Sequence, residues 1–277
     1  MATTADAVNA AKRPELSRYT LPAHVALLSW RTGPALSALL VGVVAWEITS
    51  RAVELPFVPP TRAIAQAFWR MILSGEILAS LRESLTMLVV GFGLAVAAGV
   101  PVGLVTGRYR RAADVIDPYL DALLSVPSLL LVPVFFGMFG LGRATHVAVV
   151  FVYTFVIIAV MTRSGLATID PAFVEMARSF GASEAQILRR VLLPGALPSV
   201  VAGLQLGVGR AIRGLINVEM LMGTAGLGAL LRRYGARFDA ASVYGVLLVL
   251  IALALAGTQL LRVAHKRLDP SIRIPSV

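Results

Sequence analysis

The stretch Asp170-Pro171-Ala172-Phe173-Val174-Glu175-Met176-Ala177-Arg178-Ser179-Phe180-Gly181-Ala182-Ser183-Glu184-Ala185-Gln186-Ile187-Leu188-Arg189-Arg190-Val191-Leu192-Leu193-Pro194 is the most polar interior run of an otherwise apolar chain. It carries complete helix punctuation. Asp170 is a good N-cap, and Pro171 suits the first helical position, where its missing N–H costs nothing. Phe173, Met176, Ala177 and Phe180 recur at i, i+3, i+4 and i+7, which gives one apolar helical face, and Glu175, Arg178 and Ser179 lie off it. Gly181 can take the left-handed conformation that closes a helix. Ser183 and Gln186 then form a capping box, in which each satisfies a backbone N–H of the other. A second short helix follows, with Ile187 and Val191 four apart, and Pro194 is expected to stop it. The expected unit is helix, glycine turn, helix, with an apolar underside and a charged top.

On both sides of this hairpin the chain turns apolar. The 277 residues are 57% hydrophobic and 14% charged, with a mean hydropathy of +0.81. A soluble domain is about 25% charged, so the chain reads as an all-α polytopic membrane protein. Immediately upstream, about His146–Thr162 forms an expected fourth span, closed by Arg163. Immediately downstream, about Ala196–Met222 forms a fifth. Further out lie a first span at about Pro34–Thr49, a second at about Ser84–Thr106, a third at about Val115–Phe139 and a sixth at about Ser242–Val263. Residues 50–82 suggest an interfacial helix, with Ile64, Ala67, Phe68, Met71 and Ile72 at helical spacing. Residues 223–241 suggest an outer loop with a short helix over Leu227–Tyr234. The domain division that follows is a cytoplasmic N-terminal segment, 1–32, a transmembrane domain, 33–265, containing the hairpin 170–194, and a cytoplasmic tail, 266–277.

The net charge of +10 has a membrane explanation. The basic residues border the apolar runs, and most of them fall on the side of the two termini, so both termini are expected in the cytoplasm. A nucleic-acid partner is not needed to account for them. The chain has no cysteine, hence no disulfide framework and no thiolate metal site. Its three histidines, His24, His146 and His265, are far apart, and no metal site is expected. Only Lys12 and Lys266 are lysines, and neither follows a glycine, so a phosphate-binding Gly-x4-Gly-Lys loop cannot form. If ATP drives this protein, ATP and magnesium bind to another subunit. No enzyme is expected here.

Several intramembrane residues stand out. Gly99, Gly103 and Gly107 sit four apart in the second span, as a hinge or as a close-packing face. Pro127 and Pro133 interrupt the third span; each removes a backbone hydrogen bond, and the break either lines a pathway or packs as a kink. Arg210 lies 14 residues beyond Ala196, about 21 Å into the fifth span at about 1.5 Å per residue. Arg213 and Asn217 follow at i+3 and i+7 on the same face, whereas Glu219, about 900° further round, lies opposite. The two arginines either pair with acids on other helices, snorkel outward, or line a translocation path for a small anion.

Glu175-Met176-Ala177, three residues, Gly181, nine residues, then Val191-Leu192-Leu193-Pro194 resembles the EAA loop of binding-protein-dependent ABC importer permeases. Met176 and Val191 are the mild departures from that pattern, Glu-Ala-Ala-x3-Gly-x9-Ile-x-Leu-Pro. Asp117-Pro118, Val126-Pro127, Val132-Pro133, Leu204-Gln205-Leu206-Gly207, Gly209-Arg210, Val218-Glu219-Met220 and Thr224-Ala225-Gly226-Leu227-Gly228 resemble the nitrate, sulfonate and taurine branch. Leu131, Arg213 and Asn217 depart from it. The resemblance implies a type I importer permease fold with six transmembrane helices in a bacterial inner membrane. It also implies a second permease copy, cytoplasmic ATPase subunits, and an extracytoplasmic solute-binding protein. Glu175, Ala177, Gly181, Leu193 and Pro194 would be the ATPase-coupling residues. The substrate would be a small anion of the sulfonate, nitrate, taurine, carboxylate or bicarbonate type. The alternatives are a permease for a neutral or cationic nutrient, such as a thiamine-precursor pyrimidine, and a secondary transporter.

Overall fold

The computed structural model describes residues 23–53 and 57–268, so the expected N-terminal segment and C-terminal tail lie largely outside the described residues. The described residues are helical, with no strand among them. The chain divides into two units at Thr61/Arg62. The first unit is carried by α1, Ala23–Val53, which includes the first expected span. At its far end Glu47 accepts from Arg51 (2.7 Å) and from both the backbone N–H (3.0 Å) and hydroxyl (2.7 Å) of Thr61. One carboxylate thereby satisfies the first N–H of the next helix, which no intrahelical carbonyl can reach.

The second unit contains α2 (Thr61–Leu73, from its second residue on), α3 (Glu76–Arg108), α4 (Arg110–Ser125), α5 (Leu131–Phe139) and α6 (Arg143–Ala167). The hairpin helices α7 (Pro171–Ser179) and α8 (Glu184–Ile187) follow, and then α9 (Leu193–Met222), α10 (Gly226–Ala236) and α11 (Ala240–Leu268). Among the described residues, four helical segments are long and apolar enough to cross a membrane: Glu76–Arg108, Arg143–Ala167, Glu184–Met222 and Ala240–Leu261. They contain the second, fourth, fifth and sixth expected spans.

The third expected span is divided. Val126 is extended (φ −70°, ψ 125°), and a single 3₁₀ turn, Ser128–Leu130, separates α4 from α5. Proline at 127 has no N–H to donate and disfavours helix at the residue before it, so the helix ends at Ser125. Pro133 breaks nothing, because it is the third residue of α5, where no helical acceptor precedes it.

α3, α6 and α9 pack side by side, and α6 is the middle element. The small residues of the second span are the reason they approach so closely. A methyl group at Gly103 would lie 2.5 Å from both the Ala159 carbonyl oxygen and Thr162 Cβ, and one at Gly99 would lie 3.0 Å from the Phe155 carbonyl oxygen. Close packing, rather than a hinge, is what these glycines provide here. The main core lies between α3, α5, α6 and α9, around Met87, Val132, Val149, Val150, Ala211 and Leu215. A second cluster joins Met71, Ile77, Leu227, Leu230, Val246 and Leu250, and seats α2 and α10 against α3 and α11.

Candidate functional site

The hairpin forms as its punctuation requires. Asp170 accepts from the Ala172 N–H at 2.9 Å, with Pro171 at the first helical position. Gly181 has φ +78°. The capping box is complete: Gln186 Oε1 accepts from the Ser183 N–H (2.8 Å), and Ser183 Oγ accepts from the Gln186 N–H (3.4 Å).

Pro194 behaves differently from expectation. The helix does not stop there; a π turn, Leu188–Leu192, passes directly into α9. Within that turn the Leu193 N–H reaches back five residues to the Leu188 carbonyl. The wider turn resets the hydrogen-bond ladder just ahead of Pro194, which then occupies the first turn of α9 and needs no donor. The hairpin is consequently continuous with the fifth span.

The apolar underside is not covered by any of the described residues. No residue of α7 is buried; Phe173 is 55%, Met176 50% and Phe180 85% exposed. With Ala177, Ile169, Asp170, Arg190 and Val191 they line an open groove of about 710 Å³. Glu175 lies on the other side of α7, facing a small cavity with Arg178 and Arg108. Leu193 and Pro194 are exposed at the start of α9. Three ion pairs that nothing in the local sequence signals hold this end together. Glu184 binds Arg108 (2.5 Å) and Arg178 (2.8 Å), and Asp117 of α4 pairs with Arg163 at the end of α6.

The intramembrane residues converge on a second feature. A cavity of about 360 Å³ is lined by Arg210, Arg213 and Asn217 of α9, by Tyr153 of α6, and by Ser125 and Pro127 at the break between α4 and α5. The expected shared face of Arg210, Arg213 and Asn217 is present. Pro127 lies on the wall, because the break it causes brings the end of α4 to the cavity, whereas Pro133 sits exposed on α5 and does not line it. Among the described residues neither Arg210 nor Arg213 has a carboxylate within ion-pair distance. The Tyr153 hydroxyl is buried and has no hydrogen-bond partner among the described residues. A cavity that offers two guanidiniums, an amide and hydroxyls is suited to an anion with several acceptor oxygens.

Glu219 does face away from Arg210, and the structure shows what it does there. It is fully buried, accepts from Ser84 Oγ (2.6 Å) and from the Gly228 N–H (2.7 Å), while Ser84 Oγ accepts from the Leu227 N–H (2.9 Å). The carboxylate and the serine hydroxyl together cap the N-terminus of α10. Gly226 is required at this point: it has φ +90°, and a methyl group there would sit 2.0 Å from Glu219 Oε1. The far end of α10 is tied to α3 through Glu76, which accepts from Arg233 (2.6 Å) and from the Tyr234 hydroxyl (2.5 Å). Burial and then this hydrogen bond to Glu76 push the Tyr234 phenol up to about 12.

The described residues thus form a bundle of membrane-length helices with an exposed apolar hairpin face at one end and a basic cavity within. The chain belongs to the binding-protein-dependent transport system inner membrane component family, which matches residues 99–274. It is similar to the taurine transport system permease protein TauC of Escherichia coli, 26% identical and covering 89% of this chain and 94% of the relative. It is also similar to the formylaminopyrimidine transport permease protein ThiX of Halalkalibacterium halodurans, 30% identical over 81% of this chain and 89% of the relative. In fold it is similar to the MetNI methionine ABC transporter solved in inward-facing conformations, with a TM-score of 0.58 and 24% identity, covering 68% of this chain and 95% of that chain. The protein is thus the multi-pass permease of an ABC importer in the inner membrane, and the secondary-transporter reading is set aside.

Proposed function

We propose that this permease imports a small anion and that Arg210 and Arg213 line its path. The observation that carries the reading is the pair of arginines in one cavity with no carboxylate partner among the described residues. A guanidinium inside a membrane protein is costly unless it meets an acid, water or a ligand. Here an anion would be the partner, and the charge would offset the desolvation of that anion. The similarity to a taurine permease supports an anionic or zwitterionic sulfonate. The similarity to a formylaminopyrimidine permease supports the second reading, a neutral nutrient, for which two cations with no carboxylate partner among the described residues have no evident use. Cells producing the permease with its ATPase and binding protein should take up labelled taurine or an alkanesulfonate. Excess sulfonate, nitrate or bicarbonate should compete, and formylaminopyrimidine should not. Competition by the pyrimidine alone would overturn the anion reading.

The working assembly is a homodimer of this chain that presents the basic face twice, with two cytoplasmic ATPase subunits and an extracytoplasmic solute-binding protein. ATP and magnesium reside in the ATPase, and Glu175, Ala177, Gly181, Leu193 and Pro194 belong to its docking element. Supporting this, the apolar side of α7 is left open as a groove that nothing among the described residues fills. The hairpin and both termini face the cytoplasm, consistent with the concentration of arginines on that side. Reporter fusions at Val277 and within residues 140–145 should report opposite sides of the membrane; the same side for both would refute this orientation.

A further inference from the structure

The hairpin is covalently continuous with α6 and with α9, so displacement of the hairpin passes to those two helices through the chain itself. α3 has no such connection. Its last residue, Arg108, is 76 residues from Glu184. α3 packs along α6, which leads into the hairpin, whereas a cavity of about 230 Å³ lined by Gly107, Arg108, Val174, Glu175 and Arg178 lies where the end of α3 faces α7. The direct side-chain contact from α3 to the hairpin is polar. Glu184 Oε2 binds Arg108 at 2.5 Å and Glu184 Oε1 binds Arg178 at 2.8 Å, so one carboxylate joins α3 to the hairpin with both oxygens engaged. Among the described residues every ion pair between α3 and the hairpin passes through Glu184.

α3 runs 33 residues, about 50 Å at about 1.5 Å per residue, from this bridge to the opposite end of the bundle. Pro101 removes one internal hydrogen bond, yet the helix continues to Arg108. Its outer portion holds α10 at two points: Ser84 with Glu219 at the start of α10, and Glu76 with Arg233 and Tyr234 near its end. α3 is thus fastened by polar contacts to the hairpin at one end and to α10 at the other, and packs along α6 between them.

We propose that Glu184 is a positioning residue that ties the hairpin to α3, so that α3 carries hairpin movement to the outer helix α10. This rests on the reading that the hairpin meets the ATPase. The bridge is half exposed, and ion pairs of that kind contribute little to folding. Its removal is therefore separable from loss of the fold.

The chain has no cysteine, so a single Ala236→Cys substitution at the exposed end of α10 provides a unique thiol. The permease carrying it, co-purified with its ATPase and reconstituted, is labelled with a membrane-impermeant maleimide, with and without trapping by ATP and vanadate. Trapping is expected to change the labelling rate at least fivefold. Glu184→Gln, Arg108→Gln and the double variant should each reduce that change to under twofold, equally and without additivity. Arg108→Lys should retain most of it, and Arg178→Gln should leave it intact, since that contact stays within the hairpin. ATPase co-purification and ATP hydrolysis should remain within twofold of the parent throughout. A parental labelling change that survives in Glu184→Gln, or that is absent from the parent, overturns the inference while the docking reading stands. Loss of the ATPase from Glu184→Gln would make Glu184 a docking residue and also overturns it. A parental permease that retains no ATPase overturns the docking reading and the inference together.

Discussion

Gly181→Trp is expected to leave the permease in the membrane at close to parental abundance and to reduce uptake to background. Two features of the position make the effect specific. Gly181 has φ +78°, so any L side chain there is strained, by about 1–2 kcal/mol. That cost is small beside the overall stability of a folded domain, about 5–15 kcal/mol. A Cβ at 181 also meets no other atom of the described residues within 4 Å. The indole would project into open space beside the exposed Phe180, next to the apolar groove of α7, where a docked subunit would lie. Gly181→Ala separates the two effects. It carries the backbone strain without the bulk, and should keep at least half of the uptake. The measurement is uptake rate normalised to permease in the membrane, with ATPase co-purification alongside. Parental uptake by Gly181→Trp would remove the hairpin from the coupling pathway.

Arg210→Ala and Arg213→Ala should each slow uptake of the anion about 10- to 100-fold, with little change in abundance. The magnitude follows from the loss of one charge-assisted hydrogen bond, about 1.5–3 kcal/mol, at about 1.4 kcal/mol per factor of ten. Abundance should hold because neither arginine has a carboxylate partner among the described residues to be left behind. Removing an intramembrane cation that has no carboxylate partner among the described residues relieves a cost rather than creating one. Arg→Lys distinguishes two modes of recognition. A point charge suffices if the anion is only attracted, and much of the rate returns; if the planar fork grips two oxygens, little returns. Substituting Glu219 does not test the same thing, because its carboxylate caps α10 and faces away from the cavity. If both alanine variants transport at the parental rate while Gly181→Trp is inactive, the arginines are structural and the anion path lies elsewhere.

Local chemistry was enough to read much of this molecule. Asp170, Pro171, Gly181, Ser183 and Gln186 act on backbone groups within a few residues of themselves, so their roles could be read from spacing alone. The same holds for the common face of Arg210, Arg213 and Asn217, and for Glu219 opposite them, since one helical period settles both. The apolar runs located the membrane-length helices for the same reason. What lay beyond reach were contacts between distant elements. Nothing near Ser84 indicates that it will meet Glu219, 135 residues away, and nothing near Glu184 points to Arg108. Pro127 was recognisable as a break, but only packing could show that the break opens onto the arginines while Pro133 does not. Pro194 reads as a stop because proline lacks a donor; a π turn upstream removed the need for one. The uncovered face of α7 follows the same division. Its periodicity was evident from the sequence, but that none of the other described helices folds over it depends on where each of them goes. Periodicity and capping act over a turn or two of helix, whereas partner choice is decided by which elements the whole bundle brings within a few ångströms.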